Sequence, residues 1–81
     1  MASLQAADIW SAGVTLYGIV VGRVPFHDEN ILPLYNKILT QPVAFPEEKD
    51  ISPELQDLIT RMLIKDPQER ITLQEIKVRD L

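Results

Sequence analysis

A chain of 81 residues with a net charge of -4 has room for one small domain, which buries only about 60% of the surface its unfolded form exposes and so has marginal stability. Its 46% hydrophobic and 25% charged residues are the composition of a folded protein and argue against wholesale disorder. The lack of cysteine excludes disulfides and thiolate chemistry and fits a reducing compartment, while Glu47, Glu48, Asp50, Glu54 and Asp57 repel a phosphate backbone and argue against nucleic acid.

Met1 to Gln5 carries no Lys or Arg and meets Asp8 before an apolar core develops, so it does not read as a signal peptide, and the expected compartment is cytoplasm or nucleus. The apolar run from Ile9 to Val21 is shorter than the ~20 residues that cross a bilayer and contains Ser11 and Thr15, so no membrane span is expected. Gly18 to Gly22 matches the membrane dimer motif G-x-x-x-G by letter only.

A first helix is predicted from Asp8 to Gly22. Ile9, Trp10, Val14, Leu16, Tyr17, Ile19, Val20 and Val21 go right round its wheel, the pattern of a helix surrounded by protein. Asp8 is placed to cap it, its carboxylate accepting free N–H groups at the positive end of the dipole. Gly22 can end it in a left-handed conformation, and Pro25 prevents resumption.

A second helix is predicted after Asn30, with Pro33 tolerated in its first turn. Ile31, Leu34, Tyr35, Ile38 and Leu39 share one face of it, which periodicity alone assigns to the core. Thr40 to Asp50 reads as a loop held extended by Pro42 and Pro46. Ser52 then caps a third helix that starts at Pro53 and buries Leu55, Leu58, Ile59, Met62 and Leu63. Asp66-Pro67 breaks it, and Thr72 with Glu75 forms a capping box for a short fourth helix from Leu73. The expected fold class is all-α, in one domain. His27, and the carboxylates of Asp28 and Glu29, read as solvated loop residues, since neither has further ligands at metal spacing.

Two motifs carry a family likeness. Asp8-Ile9-Trp10-Ser11-Ala12-Gly13 resembles the D-x-W-S-x-G that starts the central helix in the C-terminal lobe of eukaryotic serine/threonine protein kinases, and Asp66-Pro67-Gln68-Glu69-Arg70 resembles the D-P-x-x-R before that lobe's last helix. Between them, in the family's order, Gly22-Arg23-Val24-Pro25-Phe26 resembles the turn G-x-x-P-F, Ile31 to Leu39 the G helix and Ser52 to Leu63 the H helix. Pro42 to Glu48 and Leu55 to Ile59 look most like the calcium/calmodulin-dependent protein kinase kinases.

The resemblance implies a partial kinase C-lobe over 8–81, with helices equivalent to F, G, H and the start of I, after a non-family segment 1–7. It implies a parent that transfers the γ-phosphoryl of ATP, with Mg, to protein serine or threonine, with downstream kinases as expected substrates. The residues that do this in the family are a Gly-rich loop, a strand lysine, H-R-D and D-F-G, and none occurs in this sequence. No catalytic, cofactor or metal residue is therefore assigned, and the chain alone is expected to be inactive. The likeness makes Asp8, Trp10, Gly13 and Arg70 structural positions, with Asp8 the aspartate that steadies the catalytic loop and Arg70 the partner of a glutamate in A-P-E.

That glutamate is absent from the sequence, and an unpaired buried charge costs roughly 3–5 kcal/mol, so Arg70 is expected to be solvated or paired with a local acid. From the family's use of the G helix, Ile31, Leu34 and Tyr35 are candidates for docking a protein substrate or partner kinase. Gly18 stands where arginine-directed kinases have a glutamate, and Arg79-Asp80-Leu81 where the family has H-P-W. A calmodulin-binding segment is expected only beyond Leu81. The alternative reading is a non-catalytic interaction module that uses the face of helix 31–39 or an exposed helix 8–22.

Overall fold

The computed structural model describes residues 5–79, and α-helices are the only regular elements among them: α1 Ala6–Val21, α2 Ile31–Thr40, α3 Pro53–Met62 and α4 Leu73–Val78. The all-α expectation holds. The readings placed on Met1 to Leu4 and on Asp80 and Leu81 lie outside the described residues. None of these helices is long and apolar enough to cross a membrane.

The helix ends follow from individual side chains. α1 starts two residues earlier than the sequence suggests, at Ala6 with Gln5 as its N-cap, because two alanines extend a helix readily. Asp8 is thus the third helical residue instead of the cap, although its carboxylate still takes one free donor, the Gln5 N–H, at 3.1 Å. At the other end Gly22 has φ 90° and donates its N–H to the Gly18 carbonyl at 2.8 Å, a left-handed stop that a side chain would strain. Ser52 accepts the Leu55 N–H at 3.2 Å to start α3, and Thr72 and Glu75 exchange hydrogen bonds to start α4.

α1 and α3 are the one closely packed helix pair among the described residues. Tyr17 and Val21 meet Ile59 and Leu63 at one end, and Ile9 meets Leu58, Met62 and Ile71 at the other. Ile59 is fully buried, and each such aliphatic side chain contributes roughly 1.5–3 kcal/mol. The extended stretch after α2 lies over the first group. Its Phe45 ring is 5.4 Å from that of Tyr17, whose hydroxyl donates to the Ala44 carbonyl at 2.6 Å.

Much of the apolar surface remains open. Ile19 on α1 is 75% exposed, and Leu16 and Val20 are only half-buried. α2 buries no residue completely. Its stripe does not face a core as the periodicity suggested: Leu34 and Ile38 are half-buried, while Ile31, Tyr35 and Leu39 are exposed. A helical period reports that an apolar face exists, and nothing among the described residues is placed to cover this one.

Candidate functional site

The structural positions Trp10, Gly13 and Arg70 come together on the side of α1 that faces α3 and the turn after it. Gly13 is buried where the two helices approach most closely. A Cβ there would lie 2.9 Å from Met62 Cβ and 3.0 Å from Leu63 Cδ2, so the helix axes can pack at this distance only with glycine. Trp10 stands one turn earlier and is half-buried, its ring stacked on that of Phe26 with centroids 6.1 Å apart and planes 5° from parallel.

Arg70 departs from the expectation that it is solvated or paired with an acid. It is 9% exposed, and its guanidinium donates to three backbone carbonyls: Nε to Ile64 at 2.8 Å, Nη1 to Ala6 at 2.7 Å and Nη2 to Lys65 at 3.1 Å. Its Cζ also lies 5.0 Å from the Trp10 ring centroid. The physical reason is local. The turn after α3 presents carbonyls that no helix satisfies, and Asp66 spends its carboxylate on the Gln68 N–H at 2.9 Å. Burial lowers the Arg70 pKa from its ordinary value of 12.5, and the nearby Asp66 charge opposes this in part. A fixed fork of five donors suits this task, and lysine has no such fork.

Lys65, which sequence reasoning did not single out, completes the arrangement. Its ammonium is 4.4 Å from the Phe26 centroid and donates to the Ile38 carbonyl in the last turn of α2 at 2.7 Å. The two cations, Arg70 and Lys65, therefore lie against the stacked Trp10 and Phe26 rings and tie together α1, the turn at Phe26, α2 and the α3–α4 turn. No periodicity or cap signals a lysine in this role.

Asp8, the fourth structural position, is exposed and engaged with Gln5. Of the docking candidates, Ile31 is 80% and Tyr35 60% exposed, so both present apolar surface to solvent, whereas Leu34 turns partly inward. His27 is exposed. Asp28 is half-buried and already engaged, accepting the Asn30 N–H at 2.9 Å and pairing with Lys37 Nζ at 3.2 Å. Those two bonds, the backbone one first, hold its carboxyl below the ordinary value of 3.8. The Asp28 carboxylate is committed to Lys37, and no group of three acidic, histidine or cysteine side chains converges among the described residues.

Residues 2–80 match the protein kinase domain family. The chain belongs to that family. It is 51% identical over 74 residues to a calcium/calmodulin-dependent protein kinase kinase of Caenorhabditis elegans, covering 91% of this chain and 14% of that protein. It is 53% identical over 70 residues to a probable serine/threonine-protein kinase, KIN1 homolog, of Enterocytozoon bieneusi, covering 86% of the chain and 11% of the relative. It is 44% identical over 72 residues to a CBL-interacting serine/threonine-protein kinase of Arabidopsis thaliana, covering 89% of the chain and 15% of the relative. The chain thus spans only a small part of the length of these relatives. Its kinase segment is a partial, all-helical C-lobe, with α1, α2, α3 and α4 in the places of the F, G and H helices and the start of the I helix. The likeness to the calcium/calmodulin-dependent protein kinase kinases is carried by that 51% identity.

Proposed function

We propose that this chain is the scaffold portion of a serine/threonine protein kinase whose whole domain moves the γ-phosphoryl of ATP to protein substrates, downstream kinases among them, in the cytoplasm or nucleus. The observation that carries this reading is the lock of Arg70 on Ala6 and Trp10, which closes the α3–α4 turn against the start of α1. That helix start is where the family steadies its catalytic loop, and Asp8 stands on it with its carboxylate at the surface. Nucleotide and Mg then belong to other parts of the kinase domain, since the motifs that bind them in the family do not occur in this sequence. The chain alone is inactive on this account.

The test is phosphoryl transfer. Incubated with Mg-ATP and a protein acceptor, the 81-residue chain leaves the acceptor unlabelled, whereas a longer product of the same locus carrying H-R-D and D-F-G labels it. Labelling by the short chain, or a locus without those motifs, contradicts the reading.

A second reading, a non-catalytic interaction module, is favoured by one observation, the exposure of Ile31 and Tyr35 on α2. It expects a stoichiometric protein partner, such as a kinase, to co-purify under gentle lysis and to be lost when both residues are changed to serine. Retention of the partner in that variant contradicts it.

A further inference from the structure

The attachment of α2 to the rest of the molecule is thin and lopsided. Its own polar bonds stay within the segment 27–41: Lys37 Nζ donates to the His27 carbonyl at 2.6 Å and pairs with Asp28, Asp28 accepts the Asn30 N–H, and Thr40 Oγ1 donates to the Asn36 carbonyl at 2.7 Å. These bonds make the loop and the helix one piece. Among the described residues, one hydrogen bond joins that piece to the remainder, from Lys65 Nζ to the Ile38 carbonyl.

The apolar side of the attachment is incomplete as well. Leu34 and Ile38 line an open apolar groove of about 250 Å³ together with Trp10, Val14, Pro25 and Phe26. The groove is open to solvent, so its apolar walls face water in part and the burial that would fasten the helix is incomplete. Lys65 links two of the residues that line the groove, with its ammonium on the Phe26 ring and hydrogen-bonded to the Ile38 carbonyl. Burial lowers its pKa from the ordinary value of 10.5, so its charge is partly desolvated and its contacts are strengthened accordingly.

We propose that residues 27–41 swing as one unit over the α1–α3 core, and that Lys65 is the clasp that fixes the docked position. The two ends of the unit suit this, because residues 27–28 and 42–46 belong to no helix or strand. The docked state brings Leu34 against the Trp10 side of the core, and the swung state frees it to join Ile31 and Tyr35 on one continuous apolar face. Lys65 is a positioning residue here, since it acts on that face from a distance.

The experiment is amide hydrogen exchange read by segment on the full chain, comparing the parent protein with Lys65→Met and Lys65→Arg, and with Lys49→Met as the control at an exposed lysine. Opening of a local unit follows its own equilibrium, and losing one charge-assisted bond changes it by roughly tenfold or more. The expected result is exchange about tenfold faster at residues 35–40 in Lys65→Met, with residues 54–63 of α3 unchanged, and protection retained in Lys65→Arg and Lys49→Met. The lone Trp10 gives a second readout, a change in emission in Lys65→Met as the ammonium leaves its vicinity. Equal acceleration in α2 and α3, or no acceleration in α2, overturns the proposal.

Discussion

Gly13 and Gly18 lie on the same helix and answer the same question in opposite senses. A methyl group on Gly13 meets the Cβ of Met62, an atom attached to backbone that cannot swing aside. Gly13→Ala gains up to about 1 kcal/mol of helix propensity but pushes α1 from α3, and overpacking of this kind costs about 1–3 kcal/mol. The net expectation is a lower urea midpoint. Gly18 has nothing within 4 Å of its would-be Cβ, so Gly18→Ala keeps the propensity gain and raises the midpoint by the equivalent of about 0.5–1 kcal/mol. Arg70→Met strands the turn carbonyls of Ile64 and Lys65 and removes the tie to Ala6, at a cost of about 2–4 kcal/mol in the same measurement. A fall no larger than that of an exposed substitution at Arg23 contradicts the lock.

Helix α3 shows how surface charge acts on one element. Asp57 accepts from Arg79 Nη2 at 2.8 Å and from Arg61 Nε at 2.9 Å on one oxygen, and these bonds, Arg79 first, hold its carboxyl below the ordinary value of 3.8. A depressed carboxyl pKa stabilises the folded state above the unfolded value, and that stability is lost as pH falls below about 3.8 through the folded value. The Asp57→Asn variant therefore loses part of the acid sensitivity below pH about 4 in a pH series of melts, by a small amount because the group is exposed.

The same element was legible in the sequence almost to the residue. Ser52 and Pro53 mark its start, the spacing of Leu58, Ile59 and Met62 gives its buried face, and α4 is equally plain from Thr72 and Glu75. The start of α1 was read two residues late because Gln5 is not a typical cap and Asp8 is. Family likeness alone marks Trp10, Gly13 and Arg70 in the sequence, and it does not give the partners of Arg70, since backbone carbonyls have no letter. Lys65 was missed for a related reason, its acceptor being the Ile38 carbonyl. The open face of α2 was misread because period 3.6 says which side chains line up and not what lies opposite them.

The whole molecule has a well-packed seam between α1 and α3 and open apolar surface around it, with Ile19, Ile31, Leu32 and Val78 each more than 70% exposed. Such a surface is large for a protein this small, and the chain is expected to bind hydrophobic dyes and to unfold broadly. A sharp transition without dye binding contradicts this. The central claim, that this kinase segment is scaffold and holds no nucleotide site, meets its most direct test in a thermal melt with and without saturating Mg-ATP. A ligand at a hundredfold its dissociation constant stabilises the native state by about 2.7 kcal/mol, and 1 kcal/mol moves the midpoint of a domain this size by about 4–8 °C. The account predicts no shift of the midpoint. A rise of about 10 °C or more contradicts it.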